Sequence, residues 1–392
     1  MSFNTLKTFI LAVSLLVLVA SCKKDTVIDE YKRSGNSIAV SGSNLVIAGY
    51  TTSSLGGYDA SLILASQANG DTIFNRKFGG SYADAFYSVK KSHEGGFIAA
   101  GFSNRASSNS PAMFVVITDA NGNQLKSIKY GASDYSQCFS VLPTANADSG
   151  YLLAGYIQKS SSYDKNIFLV RIDNAGVVKW EKSIGATSTN PYDTVNESAY
   201  TVISAPDGGY FLTGSINGYS TCCGKIFLMK VSSMGDSLWT KTFNYGIGYS
   251  LTLTSDGGVA IGGTLQETAN QDIILIKTDT AGNLAWKKTF SGTGYEYGAT
   301  MVETSDGGFA ISGITDSKGA GYQDVYLLRT NSTGSVLWDH TYGGNSIDQG
   351  FGLVQLDDGG FALTGLSNTG GSFIFLNRTS SDGTQQWIKY IQ

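Results

Sequence analysis

Thr254–Trp286 reads T-S-D-G-G-V-A-I-G-G-T-L-Q-E-T-A-N-Q-D-I-I-L-I-K-T-D-T-A-G-N-L-A-W. Its punctuation predicts four short strands: A near Gly248–Thr254, B at Val259–Gly263, C at Ile273–Thr278 and D at Leu284–Phe290, with turn signals between them. Strand C does not alternate. Ile273, Ile274, Leu275 and Ile276 are consecutive apolar residues, so both faces of this sheet must be buried. A single four-stranded unit cannot cover itself on two sides, whereas neighbouring copies stacked around an axis can.

The copies are present. The acid-Gly-Gly turn recurs as Glu94-Gly95-Gly96, Asp148-Ser149-Gly150, Asp207-Gly208-Gly209, Asp256-Gly257-Gly258, Asp306-Gly307-Gly308 and Asp358-Gly359-Gly360, with acids 54, 59, 49, 50 and 52 residues apart. A degenerate copy at Ser41-Gly42-Ser43-Asn44 completes seven units. The spacing predicts an all-β chain: a seven-bladed β-propeller of four-stranded antiparallel blades over 36–392. The repeats fall at about 36–80, 81–131, 132–185, 186–243, 244–290, 291–344 and 345–392. The chain begins in phase with strand A (Ser37–Val40) and stops in phase with strand D (Trp387–Ile391), so the ring is expected to close without an exchanged strand.

The tryptophans fix the register. Trp180, Trp239, Trp286, Trp338 and Trp387 each follow a turn glycine by four residues, and Arg171, Lys230, Lys277, Arg329 and Arg378 precede the same glycine by five. Indole and base are therefore expected to be cross-strand neighbours and to pack on one another. The first two units depart from this rule, with Ala65 and Phe74 in one and Ile117 and Lys126 in the other.

Composition agrees with many strands joined by tight turns: 49 Gly, 4 Pro, 22 Tyr and 19 Phe, with 15% charged residues. Thirty-one acids against 27 bases, scattered along the chain, leave a net charge of -4 and no basic stripe for nucleic acid.

The N-terminus reads as an address. Lys7 precedes the apolar run Phe9–Ala20, which is too short for a spanning helix and predicts a signal peptide over 1–21. Val19-Ala20-Ser21-Cys22 resembles a bacterial lipobox, which implies that Cys22 carries lipid, including palmitate, and anchors the chain to a membrane. Residues 22–35 then form the lipidated cysteine and a polar tether. Lys23-Lys24-Asp25 lacks an aspartate directly after the cysteine, which implies the outer membrane or cell surface, and resembles the surface-export signals of Bacteroidetes lipoproteins.

Over residues 34–392, D-G-G-F-A-x-x-G, D-V-Y-L-L-R-T-N and G-S-V-L-W resemble the tandem propeller repeats of secreted and lipid-anchored bacterial proteins, distantly similar to kelch. Only Gly262-Gly263 supplies the double glycine of a kelch blade.

One end of the predicted ring carries the uniform A–B and C–D turns. The other carries irregular B–C loops and D–A crossovers, among them Ser103–Pro111, Gln158–Lys165, Ser215–Gly224, Thr315–Gln323 and Ala186–Glu197. A site is expected at this loop end. Asp84, Glu197, Glu296 and Asp348 stand there in register, with Asp134 near the same place. They offer a ring for a cation or sugar hydroxyls, a carboxylate pair for acid–base work, or simple acceptors for the N–H groups of their own crossovers. Tyr82, Tyr135, Tyr163, Tyr192, Tyr219, Tyr295 and Tyr322 lie in the same loops, suited to stacking on glycan rings, anchoring a protein, or packing. Cys138 is expected to bond Cys222 or Cys223, with a Cys222–Cys223 bridge as the rival. His93 falls in an A–B turn and His340 on a strand D, away from the loop end, which argues against a Ser-His-acid triad or a His-held metal there. No cofactor is implied. The expected function is a non-enzymatic binding or scaffold module for glycan or protein ligands, with a carboxylate-based carbohydrate-active enzyme as the alternative.

Overall fold

The computed structural model describes residues 33–53, 57–104, 111–131, 133–144, 149–162, 164–186, 195–216, 224–267 and 270–392. The predicted signal peptide, Cys22 and most of the tether lie outside these residues. The described strands form six antiparallel sheets. The first holds β1 (Arg33–Ser41), β2 (Asn44–Thr52), β3 (Tyr58–Ser66) and β4 (Thr72–Phe78); the second β5 (Asp84–Lys91), β6 (Phe97–Asn104), β7 (Pro111–Thr118) and β8 (Gln124–Tyr130). The third holds β9 (Tyr135–Thr144), β10 (Gly150–Gln158), β11 (Asn166–Asp173) and β12 (Val178–Ile184). A seven-stranded sheet follows: β13 (Glu197–Ser204), β14 (Tyr210–Ile216), β15 (Lys225–Val231), β16 (Ser237–Leu253), β17 (Val259–Leu265), β18 (Asp272–Thr278) and β19 (Leu284–Phe290). The last two are β20 (Glu296–Glu303), β21 (Phe309–Thr315), β22 (Asp324–Thr330), β23 (Val336–Tyr342), and β24 (Asp348–Gln355), β25 (Phe361–Ser367), β26 (Phe373–Thr379), β27 (Gln385–Ile391).

The long β16 serves twice. Its first part pairs with β15 from Ser237 to Tyr245, and its second part pairs with β17 from Gly246 to Leu253. The two halves of this sheet face each other, for Phe211 and Leu228 share one buried cluster with Ile261 and Ile276.

The first strands make a closed ring. β1 packs on β5, β5 on β9, β9 on β13, β13 on β16, β16 on β20, β20 on β24, and β24 on β1. This is a β-propeller, with β1 innermost in its sheet and β4 outermost. At the junction of the two ends, Ile38, Leu45 and Ile47 pack with Ala362, Ile374 and Leu376. Each such buried aliphatic side chain is worth roughly 1.5–3 kcal/mol. Arg33 Nη1 also donates to Ser372 O at 2.8 Å, and Arg378 Nη1 to Gln67 O at 3.1 Å. β1–β4 come wholly from the N-terminal side and β24–β27 wholly from the C-terminal side, so no strand is exchanged.

The sheets join at the outer edge by a contact that runs around the ring. A Cβ built on Gly235 would lie 2.6 Å from the Trp180 ring, and one on Gly282 2.3 Å from Trp239. Trp286 covers Gly334, Trp338 covers Gly383, and Trp387 crosses the closure to cover Gly70. The first two sheets use Phe74 on Gly122 and Ile128 on Gly176 instead. These glycines have φ of 72–83°, a left-handed turn that also leaves the backbone bare for the ring.

The cross-strand register of base and tryptophan is as expected: Arg171 opposes Trp180, Lys230 Trp239, Lys277 Trp286, Arg329 Trp338 and Arg378 Trp387. The expected stacking is corrected. Lys230 Nζ lies 2.5 Å from Asp207, Lys277 Nζ 2.9 Å from Asp256 and Arg329 Nη2 2.5 Å from Asp306, and Arg378 pairs with Asp358. A largely buried base is better served by a carboxylate than by a ring already seated on the next sheet. In the second sheet Lys126, from the outer strand, takes this part and reaches Glu94 at 3.1 Å.

Candidate functional site

The loop end is built from the crossovers. Asp84, Glu197, Glu296 and Asp348 are the first residues of β5, β13, β20 and β24, and each is buried. Asp84 Oδ2 accepts Gly80 N at 2.9 Å, Glu296 Oε2 accepts Gly292 N at 2.7 Å, and Asp348 Oδ2 accepts Gly344 N at 2.8 Å. In each case the donor lies four residues back, so the carboxylate folds its own crossover. Glu197 accepts from Ala186 across its longer crossover. Thr315 Oγ1 donates to the other oxygen of Glu296 at 3.0 Å, and Thr369 Oγ1 to Asp348 at 3.3 Å. Asp134 takes Ser160 N at 3.0 Å.

A second set of acids, at or near the start of β11, β18, β22 and β3, faces these carboxylates. Asp164 stands against Glu197, Asp272 against Glu296, and Asp324 against Asp348, while Asp59 stands against Asp84. A Cβ on Gly343 would meet Asp324 Oδ1 at 2.5 Å and Asp348 Oδ2 at 2.7 Å. Burial, followed by the neighbouring charge, raises the pKa of Asp272 and Asp324. Burial also raises Asp84, against its bonds to Ser103 and Gly80. The same effect is largest at Glu197, pushed up to about 7 by burial with the Asp164 charge adding to it. Glu197 Oε2 and Asn166 Oδ1 are buried and have no hydrogen-bond partner among the described residues, and both approach Gly185. This second acid was readable in D-I-I-L and D-V-Y-L, but only by asking what lies beside it in the next repeat.

Three residues inward from the crossover acid, every first strand bulges. The unpaired residue is Asn36 in β1, Tyr87 in β5, Phe139 in β9, Tyr200 in β13, Tyr249 in β16, Ala299 in β20 and Phe351 in β24. Opposite the bulge the second strand always carries glycine, because the bulged backbone moves onto it. A Cβ on Gly101 would sit 1.9 Å from Ala85 O, and one on Gly365 1.8 Å from Gln349 O. The bulge residues form half of an aromatic collar: Tyr87 to Phe139 at 5.4 Å, Phe139 to Tyr200 stacked at 4.7 Å, and Tyr200 to Tyr249 at 5.2 Å. Tyr156 and Phe102 pack alongside it at 5.9 and 5.8 Å. The four bulge rings are half-buried, whereas Tyr156 and Phe102 are buried. Desolvation first, then Tyr50 and Tyr156, raises the Tyr87 phenol. Hydroxyls one residue past the bulge tie adjacent first strands, as Ser250 Oγ accepts Met301 N at 2.8 Å and Thr201 Oγ1 donates to Tyr249 O at 2.7 Å.

Of the loop tyrosines, Tyr82, Tyr135 and Tyr295 are 40–41% exposed and Tyr322 is 80% exposed. Tyr295 stacks on Tyr297 at 6.1 Å, and its amide is held by Asp316. Tyr163, Tyr192, Tyr219, Cys222 and Cys223 lie outside the described residues. Cys138 is a free thiol, contrary to the disulfide expected of it. Its side chain is turned into the apolar contact between the second and third sheets, where Sγ donates to Ser140 O at 3.3 Å and burial pushes the thiol up to about 12. His93 Nε2 lies 3.1 Å from Gly150 O and His340 Nε2 2.9 Å from Asp382 O, both at the tight-turn end. Among the described residues no group of three His, Cys, Asp or Glu is placed to hold a metal ion.

No family model matches this chain, and no curated protein matches it. Solved structures do. The BP39L lectin from Burkholderia pseudomallei aligns with a TM-score of 0.56 at 10% identity, over 92% of this chain and 99% of that one. Chaetomium thermophilum Sqt1, bound to the N-terminus of ribosomal protein L10, aligns with a TM-score of 0.53 at 10% identity, over 93% and 89%. The β-propeller domain of the Trilobed protease from Pyrococcus furiosus, described as having an open velcro topology, gives 0.50 at 11% identity, over 92% and 96%. At these identities the likeness is one of fold.

Proposed function

We propose that this chain is a seven-bladed propeller, the seven-stranded sheet counting as two blades, that is carried on the outer membrane or cell surface by lipid on Cys22. In this reading it is a non-enzymatic module that binds glycan or protein ligands at its loop end. The observation that carries the binding reading is the division of labour there. Asp84, Glu296 and Asp348 are buried and bonded to their own crossovers, whereas Tyr82, Tyr135, Tyr295 and Tyr322 stand in water. Exposed tyrosines over a rigid frame present flat apolar faces with a polar tip, a surface suited to sugar rings or a partner's side chains. Sqt1, solved with the N-terminus of a ribosomal protein, and a lectin share the fold, which is in keeping with a ring that presents ligands.

The test is a glycan array run beside a glycosidase screen on wild type, Tyr295→Ala, Tyr322→Ala and Glu296→Gln. Binding without turnover, lost in the tyrosine variants, is expected. One observation favours the enzyme reading: Glu197, pushed up to about 7 beside Asp164, has the proton affinity of a general acid. Turnover abolished by Glu197→Gln would establish that reading in place of the first.

A further inference from the structure

The seam inside the seven-stranded sheet, where β16 runs unbroken from an outer to an inner place, differs from the four acid-paired junctions. Two register positions change. The place held by Asp59, Asp272 and Asp324 elsewhere, opposite the end of the second strand, is Lys225 in β15. The place of the crossover acids Glu296 and Asp348 is Gly246, opposite Leu265. An ammonium thus stands where the other junctions set two carboxylates.

The outer side of the seam changes in the same sense. Lys182 Nζ meets Asp236 at 2.7 Å and Lys389 Nζ meets Asp71 at 3.0 Å, each acid directly following the turn glycine of another repeat. Lys241 is the corresponding base, two residues after Trp239, but the residue following Gly282 is Asn283. Lys241 Nζ donates to Asn283 Oδ1 at 3.3 Å. Asp279, which feels the Lys241 charge, gives its oxygens to the N–H and side-chain amide of Asn283 at 2.8 and 3.0 Å.

Both lysines border one hollow of about 480 Å³, lined also by Phe243, Tyr245, Leu284 and Glu267. That size suits a small ligand. Neither lysine has an ion pair among the described residues. Lys225 Nζ stands 5.3 Å from the centre of the Tyr245 ring, and Leu284 is 50% exposed. Glu267, the one carboxylate of the lining, accepts Asn244 Nδ2 at 2.6 Å and Tyr245 N at 3.3 Å through Oε1, and is exposed to take a hydroxyl on Oε2. Lys225 pairs with Tyr245, four residues along β16 from Lys241 and so roughly 13 Å of strand away. Two separate anionic groups, rather than one, would satisfy both ammoniums.

We propose that this seam binds an oligouronate, an acidic oligosaccharide with a carboxylate on each ring: one carboxylate on Lys241, another on Lys225, and a sugar face on Tyr245 and Leu284. Repeated carboxylates match the separated lysines, and ring hydroxyls match Glu267. The site uses none of the exposed loop tyrosines and does not depend on the function proposed for them. Calorimetric titration of tetragalacturonate into the full chain tests it, with the fully methyl-esterified tetramer as the uncharged probe and tetraglutamate as the peptide of equal charge. Tetragalacturonate is expected to bind wild type, and to bind Lys241→Met about tenfold or more weakly, the worth of a charge-assisted hydrogen bond. Asn283→Asp gives Lys241 the acid that Lys182 and Lys389 already have, and is expected to weaken binding to a similar extent. Circular dichroism and melting establish that each variant is folded, and Asn283→Asp carries the test if Lys241→Met does not fold. The proposal is overturned if folded wild type gives no tetragalacturonate binding, if Lys241→Met or Asn283→Asp binds as wild type does, or if the esterified tetramer or tetraglutamate binds as tightly as tetragalacturonate.

Discussion

The outer edge and the inner ring of this propeller repeat in opposite ways. At the outer edge the side chain repeats: an aromatic or aliphatic residue lies on the turn glycine of the next repeat, from Phe74 on Gly122 round to Trp387 on Gly70. At the inner ring the backbone repeats and the side chain does not. The same bulge and the same facing glycine present Asn36, Tyr87, Phe139, Tyr200, Tyr249, Ala299 and Phe351 in turn. Uniform side chains on a uniform frame serve closure. Varied side chains on a uniform frame are free to serve recognition, and the inner ring and the loop end are where that variation gathers.

Three stability measurements order this comparison. The largest loss is expected from Gly155→Val, because a Cβ there meets Gln137 O at 1.9 Å and the bulge has nowhere to move. Roughly 3 kcal/mol or more should disappear from the urea-unfolding free energy. A near-neutral result would mean that something other than the bulge selects the glycine. Next comes the outer edge: Trp286→Ala and Trp387→Ala should each cost about 2–4 kcal/mol and match within error if the closure contact equals an internal one. A much smaller loss for Trp387→Ala would mark the junction as the weak seam. Phe139→Ala, half-buried in the collar, should cost only about 1–2 kcal/mol. If it exceeded the tryptophan losses, the collar would be core, and the contrast between edge and ring would fail.

A further effect, of similar size, is expected in pH. Glu197 has a folded value of about 7 against an ordinary 4.5, so the folded state binds this proton more tightly than the unfolded state does. The group's contribution is therefore favourable below about pH 4.5, falls as pH rises to about 7, and is level above that. Glu197→Gln keeps the neutral form, so its unfolding free energy should fall by roughly 2 kcal/mol less than wild type's between pH 5 and 8. Parallel curves for the two proteins would show that the carboxyl is not perturbed.

Much of the frame was legible in the sequence because it is written in periods. Strands B, C and D of the quoted unit fall where β17, β18 and β19 lie, and the pairing of Lys277 with Trp286 follows from their places five residues before and four after Gly282. What was not legible depends on contacts about 50 residues apart. That Trp286 sits on Gly334, and so leaves Lys277 to Asp256, is a relation between repeats that spacing within one repeat does not state. The bulge is hidden for another reason: one extra residue leaves strand A looking like any strand, and its trace is the glycine across from it, which a single unit gives no cause to single out. The crossover acids could be placed but not assigned, since their first partners are backbone amides, which every residue but proline carries.

The central claim is that the loop end binds through its exposed tyrosines while its buried acids hold the crossovers. The most direct measurement pairs glycan-array binding with unfolding free energy for Tyr295→Ala, Tyr322→Ala, Glu296→Gln and Asp348→Asn. The account predicts that the tyrosine variants lose ligand and keep stability, whereas the acid variants lose stability, and with it any binding, without ever showing turnover. A hydrolytic activity in wild type that Glu296→Gln or Asp348→Asn abolishes in a stably folded chain would contradict it.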